Sequence, residues 1–188
     1  MRQLVNFNSR QIIQQAWNQL PACDPKKLFV LLAKLHPGKL WTDELIKDIR
    51  LVAYAPTESV TVAYAVRDEQ NQVVNVLYSK CSVHQPPYYW LLSFSTDIVG
   101  CAIQFGGVRE ELVLTTNVEA ALKTTTEKGI PCWACLGLTG LRTVRLPGQV
   151  KNVTVLRGQH DSGDFAEVVK ELTQRFLDEG RQVSVRQE

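Results

Sequence analysis

The sequence predicts an α/β protein in two parts. An α+β subdomain covers residues 1–108, where helices precede a β hairpin or meander, and an α/β domain covers residues 109–188, where helices flank a parallel sheet. Apolar residues repeat at helical spacing before Pro56, at extended spacing after it, and in alternating strand and helix patterns from Glu111 onward. With 188 residues, 45% of them hydrophobic, the chain is long enough to bury a core.

Helical spacing predicts three helices in the first subdomain. Each begins at a residue that favours the first helical turn: Asn8 or Ser9, Asp24 with Pro25, and Thr42. Pro21 ends the first helix, because proline cannot continue the hydrogen-bond ladder. The third helix carries Ile49 on its inward face, so we expect helix up to that residue.

After Pro56 the sequence predicts β structure. Extended runs rich in Val and aromatic residues cover residues 59–67, 73–80, 88–94 and 100–105. The first two runs flank the polar turn 68–71 and therefore predict a hairpin. Gly106 and Gly107 then break the chain, and we place the subdomain boundary near Val108.

From Glu111 onward, strands and helices alternate. The sequence predicts strands at residues 112–115, 130–136, 153–156 and 183–185, and helices at 117–128 and 163–179. This order is typical of a parallel sheet covered by helices, in which ligands collect at the carboxyl ends of the strands. Those ends carry Thr116, Asn117 and residues 158–161.

The net charge of +2 is too small to indicate nucleic-acid binding by itself. However, the segment from Gly129 to His160 contains no Asp or Glu, and its basic residues are Arg142, Arg145, Lys151 and Arg157. These are either solvated side chains on loops and strand ends or a phosphate-contacting patch. Because neither a membrane span nor a secretory signal is evident, we expect a soluble, cytoplasmic protein without a membrane partner.

Cys132 and Cys135 form a C-x-x-C pair among five cysteines, an odd number that argues against a disulfide framework. The pair falls on a predicted strand, where residues three apart point to opposite faces, so we expect core packing. No second pair completes a zinc site. For His160, a hydrogen-bonded loop position is the alternative to ligation of a transition metal.

Four ordered segments of the second domain resemble the Toprim domain, in the version found in primases of phages and plasmids. They are LVLTTNVEAAL from Leu112, GIPCWACLG from Gly129, VLRGQHDSGD from Val155 and EGRQVSV from Glu179. They are similar, in turn, to the family's first strand with its Glu-Gly turn, its Gly-Ile-Pro-x-Trp-Ala strand, its Asp-x-Asp strand and its closing Gly-Arg-x-Val strand. The first 110 residues resemble the domain that precedes Toprim in those primases.

The resemblance also shows where the catalytic pattern is changed. Thr116 occupies the position of the family's acid-base Glu, Asn117 the adjoining Gly, Gln159 the first magnesium-binding Asp and His160 the residue between the two Asp positions; only Asp161 keeps its carboxylate. Magnesium prefers carboxylate oxygens, and a Thr hydroxyl does not transfer protons near neutral pH. We therefore expect no catalytic residue and no cofactor of the family type.

The leading hypothesis is a catalytically inactive, primase-related protein of a mobile element or its host, which binds nucleic acid or a DNA replication or transfer protein. Amides, hydroxyls and the fork of Arg are ordinary phosphate contacts. The candidate phosphate-binding residues are Thr116, Asn117, Arg142, Arg145, Arg157, Gln159 and His160. Strand preference and oligomeric state stay open.

Two alternatives belong to other functional classes. In the first, Glu119, Asp161 and Asp164 hold a divalent ion such as magnesium for phosphoryl transfer of the primase or nuclease type; the structural reading is that Glu119 interacts with a helix dipole and Asp164 caps a helix. In the second, the first 110 residues form a protein-interaction module. Its aromatic anchors, which are otherwise core residues, are Trp17, Trp41, Tyr88, Tyr89 and Trp90.

Overall fold

The computed structural model describes residues 2–20, 49–55, 59–82, 88–93, 97–158 and 163–187. They divide into a first unit, drawn from Met1–Val66 and Gln72–Asp97, and a second unit, drawn from Arg67–Asn71 and Ile98–Glu188. Both units combine helices and strands, which confirms a mixed α/β protein. The helices predicted to begin at Asp24 and Thr42, and Trp41, lie outside the described residues. The boundary near Val108 stays a prediction.

The helices of the described residues are α1 (Arg2–Gln19), α2 (Val118–Lys128), α3 (Leu138–Thr143) and α4 (Phe165–Asp178). The strands are β1 (Ile49–Ala55), β2 (Ser59–Arg67), β3 (Val73–Ser82), β4 (Tyr88–Leu91), β5 (Ala102–Phe105), β6 (Glu111–Thr115), β7 (Cys132–Ala134), β8 (Asn152–Arg157) and β9 (Gln182–Gln187).

In the first unit, β4, β3 and β2 lie side by side, and β1 pairs with β2 in antiparallel register. Helix α1 packs against β3. A small core joins the helix to the strands and contains Ile13, Trp17, Ala63, Ala65, Val73 and Val76. The guanidinium of Arg50 lies 4.8 Å from the centre of the Trp17 ring, a cation–π contact that ties β1 to the helix.

Two predictions about this unit were wrong. Helix α1 begins at Arg2 rather than at Asn8 or Ser9, because no Pro or Gly interrupts residues 2–9 and an interior Asn or Ser is tolerated. Ile49 opens strand β1 rather than ending a helix. The β-branched and aromatic residues after Ile49 fit a paired strand, and the register between Ile49 and Tyr64 stabilises that conformation.

In the second unit, the strand order is β5-β7-β6-β8-β9. Strand β6 pairs in parallel with both β7 and β8, and β8 pairs in parallel with β9, whereas β5 runs antiparallel to β7. The predicted parallel pairing is therefore confirmed. It brings the carboxyl ends of four neighbouring strands to one edge of the sheet, called here the carboxyl edge.

Helices cover both faces of this sheet. One face carries Leu112 and Leu114 in a large core, which α4 closes with Phe165, Leu172 and Phe176. Alternation places Val113 on the other face, where α2 packs against β6 and β7. Burial on both faces explains why these strands read as continuous apolar runs in the sequence.

The C-x-x-C pair is part of this packing. Cys132 and Cys135 are both fully buried and carry free thiols. Cys135 belongs to the core beneath α4, and alternation places Cys132 on the opposite face. Burial raises the pKa of the Cys135 thiol to about 12, although the charge of Arg175 acts in the other direction. This thiol therefore stays protonated near neutral pH, as suits a core residue.

Candidate functional site

Thr116 and Arg157 both lie at the carboxyl edge, near the ends of two paired strands. The parallel pairing of β6 with β8 extends to Leu114 opposite Val155. Thr116 comes two residues after Leu114, where the chain bends after β6, and Arg157 comes two residues after Val155 as the last residue of β8. Alternation along β8 places Arg157 on the face of Val155, which belongs to the core that α4 closes.

Thr116 lies below the surface of the carboxyl edge and forms what is called here the floor of the site. Its side chain is buried, and its carbonyl accepts a hydrogen bond of 2.7 Å from the N–H of Gly137, which follows β7. The backbone between β7 and α3 turns there through two residues with positive φ, Leu136 and Gly137. Thr116 is thereby held between the ends of two strands, and its position requires a small, neutral side chain.

Asn117 is exposed and caps α2. Its Oδ1 accepts a hydrogen bond of 2.7 Å from the N–H of Ala120, and its backbone is extended, as in an ordinary N-cap. The capping bond uses the carbonyl oxygen of the side chain, which leaves the amide nitrogen as the group that faces a ligand. Sequence analysis predicted Asn117 as a phosphate contact. Its position directly before α2 also explains its capping role.

Arg157 is exposed at the end of β8 and is held in place by an aromatic ring. Its guanidinium carbon lies 5.6 Å from the centre of the ring of Phe165, the first residue of α4. Phe165 is buried in the core, so it provides a fixed platform for the cation. Gln159, His160 and Asp161, which lie between these two residues in the chain, are outside the described residues.

The other basic residues of the acid-free segment have different neighbours. Arg142 forms an ion pair of 2.8 Å with Glu171 of α4, in which both side chains are about half exposed. The side chain of Arg145 lies over Gly100. Lys151 precedes β8 and donates its N–H to the carbonyl of Glu110, at the amino end of the strand. The four cations are therefore distributed over the second unit, and among them only Arg157 lies at the end of a strand at the carboxyl edge.

The acidic candidates of the alternative hypothesis lie near the ends of two helices. Glu119 is exposed in the first turn of α2, where a carboxylate interacts favourably with the helix dipole. Asp164 precedes α4 at the N-cap position, but its side chain makes no capping hydrogen bond and its backbone is already helical. Across the described residues, no cluster of three or more His, Cys, Asp and Glu side chains is arranged to hold a metal ion.

A magnesium ion of the Toprim type does not fit the described donors at this edge. Thr116 offers a neutral hydroxyl where the family has a carboxylate, and its side chain is buried among strand ends. Magnesium is ordinarily held by carboxylates with several retained waters, and the neutral, buried hydroxyl satisfies neither requirement.

The proposed aromatic anchors of the first unit divide into two groups. Trp17 is buried in the core beneath α1, as its helical spacing indicated. Tyr88 is 68% exposed on β4, and Trp90 is partly exposed on the same strand. Sequence analysis did not single out their cross-strand partners Tyr78 and Lys80 on β3. The sequence did carry a signal for these two residues. Tyr78 and Lys80 are two residues apart, as are Tyr88 and Trp90, and residues two apart on a strand share a face.

Among known proteins, the chain shows a structural similarity of low sequence identity. No family model and no curated protein matches the chain. Among solved structures, the chain is similar to the zinc-binding and RNA polymerase domains of the primase of Aquifex aeolicus, with 13% identity and a TM-score of 0.48. The similarity covers 96% of this chain and 54% of that one, so the chain spans about half the length of that structure. Separately, no helix in the described ranges has the length and apolar character needed to cross a membrane.

Proposed function

We propose that this protein is a Toprim-like, primase-related protein that binds nucleic-acid phosphate at the carboxyl edge and performs no metal-dependent chemistry there. The observation that carries the proposal is that Thr116, just after β6, and Arg157, the last residue of β8, lie at the ends of two paired strands on the same edge of the sheet. In the resembling family, the position of Thr116 carries a carboxylate. A neutral hydroxyl and a guanidinium at the same edge favour an anion over a cation.

Each described residue of the site has a separate role in this proposal. Arg157, exposed and positioned over Phe165, presents its fork to the phosphate. Asn117 contributes its side-chain amide nitrogen while its oxygen caps α2. Thr116 keeps the floor uncharged, since a carboxylate there would repel the same phosphate. Gln159 and His160 complete the proposed contacts from the sequence between β8 and α4.

A titration with fluorescently labelled oligonucleotides tests the proposal. The full chain, Arg157→Ala and Arg109→Ala are titrated with single-stranded and duplex DNA at several salt concentrations. Arg109 is a matched control because it is exposed and precedes β6, at the opposite edge of the sheet. We expect Arg157→Ala to weaken binding several-fold and to reduce the slope of log affinity against log salt by about one, whereas Arg109→Ala binds like the wild type.

Two results would overturn the proposal. If the wild type shows no salt-dependent binding, the protein does not recognise nucleic-acid phosphate. If Arg157→Ala and Arg109→Ala lose equal amounts of DNA affinity, the overall positive charge, and not the carboxyl edge, attracts DNA.

The metal-dependent alternative is tested by calorimetric titration with Mn²⁺. Micromolar binding that is lost in Asp161→Ala would favour phosphoryl-transfer chemistry by rearranged acidic residues. Under our proposal, Asp161→Ala leaves DNA binding intact or strengthens it, since it removes a carboxylate from the sequence adjoining the site.

A further inference from the structure

Three aromatic rings line one face of the antiparallel β3–β4 pair. Tyr78 on β3 lies directly opposite Trp90 on β4, and Lys80 lies opposite Tyr88. Because side chains two residues apart share a face, all four side chains lie on the same side of this pair. The ring centres of Tyr78 and Trp90 are 5.3 Å apart and those of Trp90 and Tyr88 are 5.7 Å apart, both in stacked orientation. We call Tyr78, Trp90 and Tyr88 the aromatic ladder.

Sheet stability explains only one end of the aromatic ladder. Tyr78 packs against the core beneath α1, and its stacking on Trp90 is an ordinary stabilising cross-strand pair. Tyr88, at the other end, is 68% exposed. An exposed tyrosine ring extends the stacked surface into solvent and adds little to the buried core. The ladder thus runs from a fixed, half-buried ring to a ring that is available to a ligand.

The described strands and helix of the first unit contain no acidic residues. The sequence from Gln70 to Thr96 contains no Asp or Glu, and neither do the strands β1 to β4 or helix α1. The same elements contribute the basic residues Arg2, Arg10, Arg50, Arg67 and Lys80. Lys80 is exposed and lies across from Tyr88, so a cation accompanies the exposed end of the ladder. Stacked rings beside a cation, on described elements that carry no carboxylates, complement a ligand that has flat apolar faces and an anionic backbone.

We propose that the aromatic ladder and Lys80 form a binding platform for single-stranded nucleic acid, in which bases stack on Tyr88 and Trp90 and Lys80 contacts a phosphate. Unpaired bases expose the faces that such rings require, whereas a duplex keeps its bases stacked internally. The platform is built entirely from the first unit. It goes beyond the phosphate contact proposed for the second unit and does not depend on it.

Binding of labelled oligo-dT and of a duplex of equal length to the full chain tests the platform. We expect Tyr88→Ala to weaken oligo-dT binding at least fivefold, since removal of one stacking ring has effects of this order or larger, and to leave duplex binding unchanged. Lys80→Ala is expected to weaken oligo-dT binding less and to lower its salt slope by about one. Ile12→Ala is the matched control, because Ile12 is an apolar residue, 58% exposed, on helix α1.

Trp90→Phe keeps an aromatic ring and is the conservative variant to compare with Trp90→Ala if the latter fails to fold. It is expected to retain most of the oligo-dT affinity, whereas Trp90→Ala loses it, and thermal melting identifies any variant that fails to fold. The proposal is overturned if folded Tyr88→Ala and Lys80→Ala bind oligo-dT like the wild type, or if Ile12→Ala loses as much affinity. It is also overturned if oligo-dT does not bind while a peptide partner protects Tyr88.

The two proposals fail in different ways. If Tyr88→Ala loses oligo-dT affinity while Arg157→Ala binds DNA like the wild type, the platform is supported and phosphate binding at the carboxyl edge is contradicted. If Tyr88→Ala binds oligo-dT like the wild type while Arg157→Ala has an altered salt slope, phosphate binding at the carboxyl edge is supported and the platform is contradicted.

Discussion

Gly140 lies so close to Cys135 that a Cβ atom on the glycine would overlap the carbonyl oxygen of Cys135. This close approach lies in the turn between β7 and α3, where the N–H of Gly137 also donates a hydrogen bond to the carbonyl of Thr116. The geometry of the candidate phosphate site is therefore coupled to a close backbone contact in a neighbouring turn.

Gly140→Ala is expected to destabilise the protein by at least about 3 kcal/mol, because the added methyl group overlaps backbone that has nowhere to move. Chemical denaturation measures the change. Gly148→Ala is the control, since a Cβ there meets no atom within 4 Å. Equal stability of the two variants would show that the turn is loosely packed.

Thr116→Glu introduces a carboxylate at this position and is expected to destabilise the fold by roughly 1–3 kcal/mol, because it buries an unpaired charge. Thr139→Glu, at an exposed position in the first turn of α3, is the control and should be neutral or slightly stabilising. Thermal melting is repeated with and without millimolar Mg²⁺. Recovery of Thr116→Glu by Mg²⁺ would contradict our proposal and would favour a retained metal site.

Arg181→Met is expected to destabilise the protein by at least about 2 kcal/mol, because it leaves carbonyl oxygens without donors. The buried guanidinium of Arg181 donates to the carbonyls of Leu146, Pro147 and Val150 and pairs with Glu179 at 2.9 Å. It thereby fixes the chain that leads into β8. Arg186→Met, at an exposed position of β9, is the control. Urea denaturation compares both variants, and a similar small change in each would contradict a structural role for Arg181.

The free energy of unfolding is expected to decrease between pH 9 and pH 12 more steeply in the wild type than in Cys135→Ala. Burial raises the pKa of the Cys135 thiol from 9.0 to about 12. In this range the unfolded thiol loses its proton while the folded thiol keeps it, so stability present below pH 9 is lost as the pH rises. The difference in slope is at most about 1.4 kcal/mol per pH unit.

Urea denaturation at a series of pH values measures these slopes. Parallel curves for the wild type and Cys135→Ala would contradict the burial of this thiol. A thiol reagent at pH 8 gives an independent check, since Cys135 should react only after unfolding.

Much of the second unit followed from the sequence because its signals are local. Alternating apolar runs predicted β6, β8 and the helices α2 and α4 to within one or two residues. The short helix α3 was not predicted, since its stretch of turn-forming residues has no amphipathic period. In the first unit, the hairpin strands were predicted and β1 was missed, because Ile49 fits a helical stripe as well as a strand.

The sequence by itself determined where the strands and helices of the second unit alternate and that the position of Thr116 lacks a carboxylate. Only the tertiary structure decided that β6 lies beside β8, which puts Thr116 and Arg157 at the same edge of the sheet, and that Arg142 instead pairs with Glu171. It likewise decided that Tyr78 stacks on Trp90. The reason is physical: hydrophobic periodicity records the environment of each segment, whereas strand neighbours and register depend on contacts between segments that are distant in the chain.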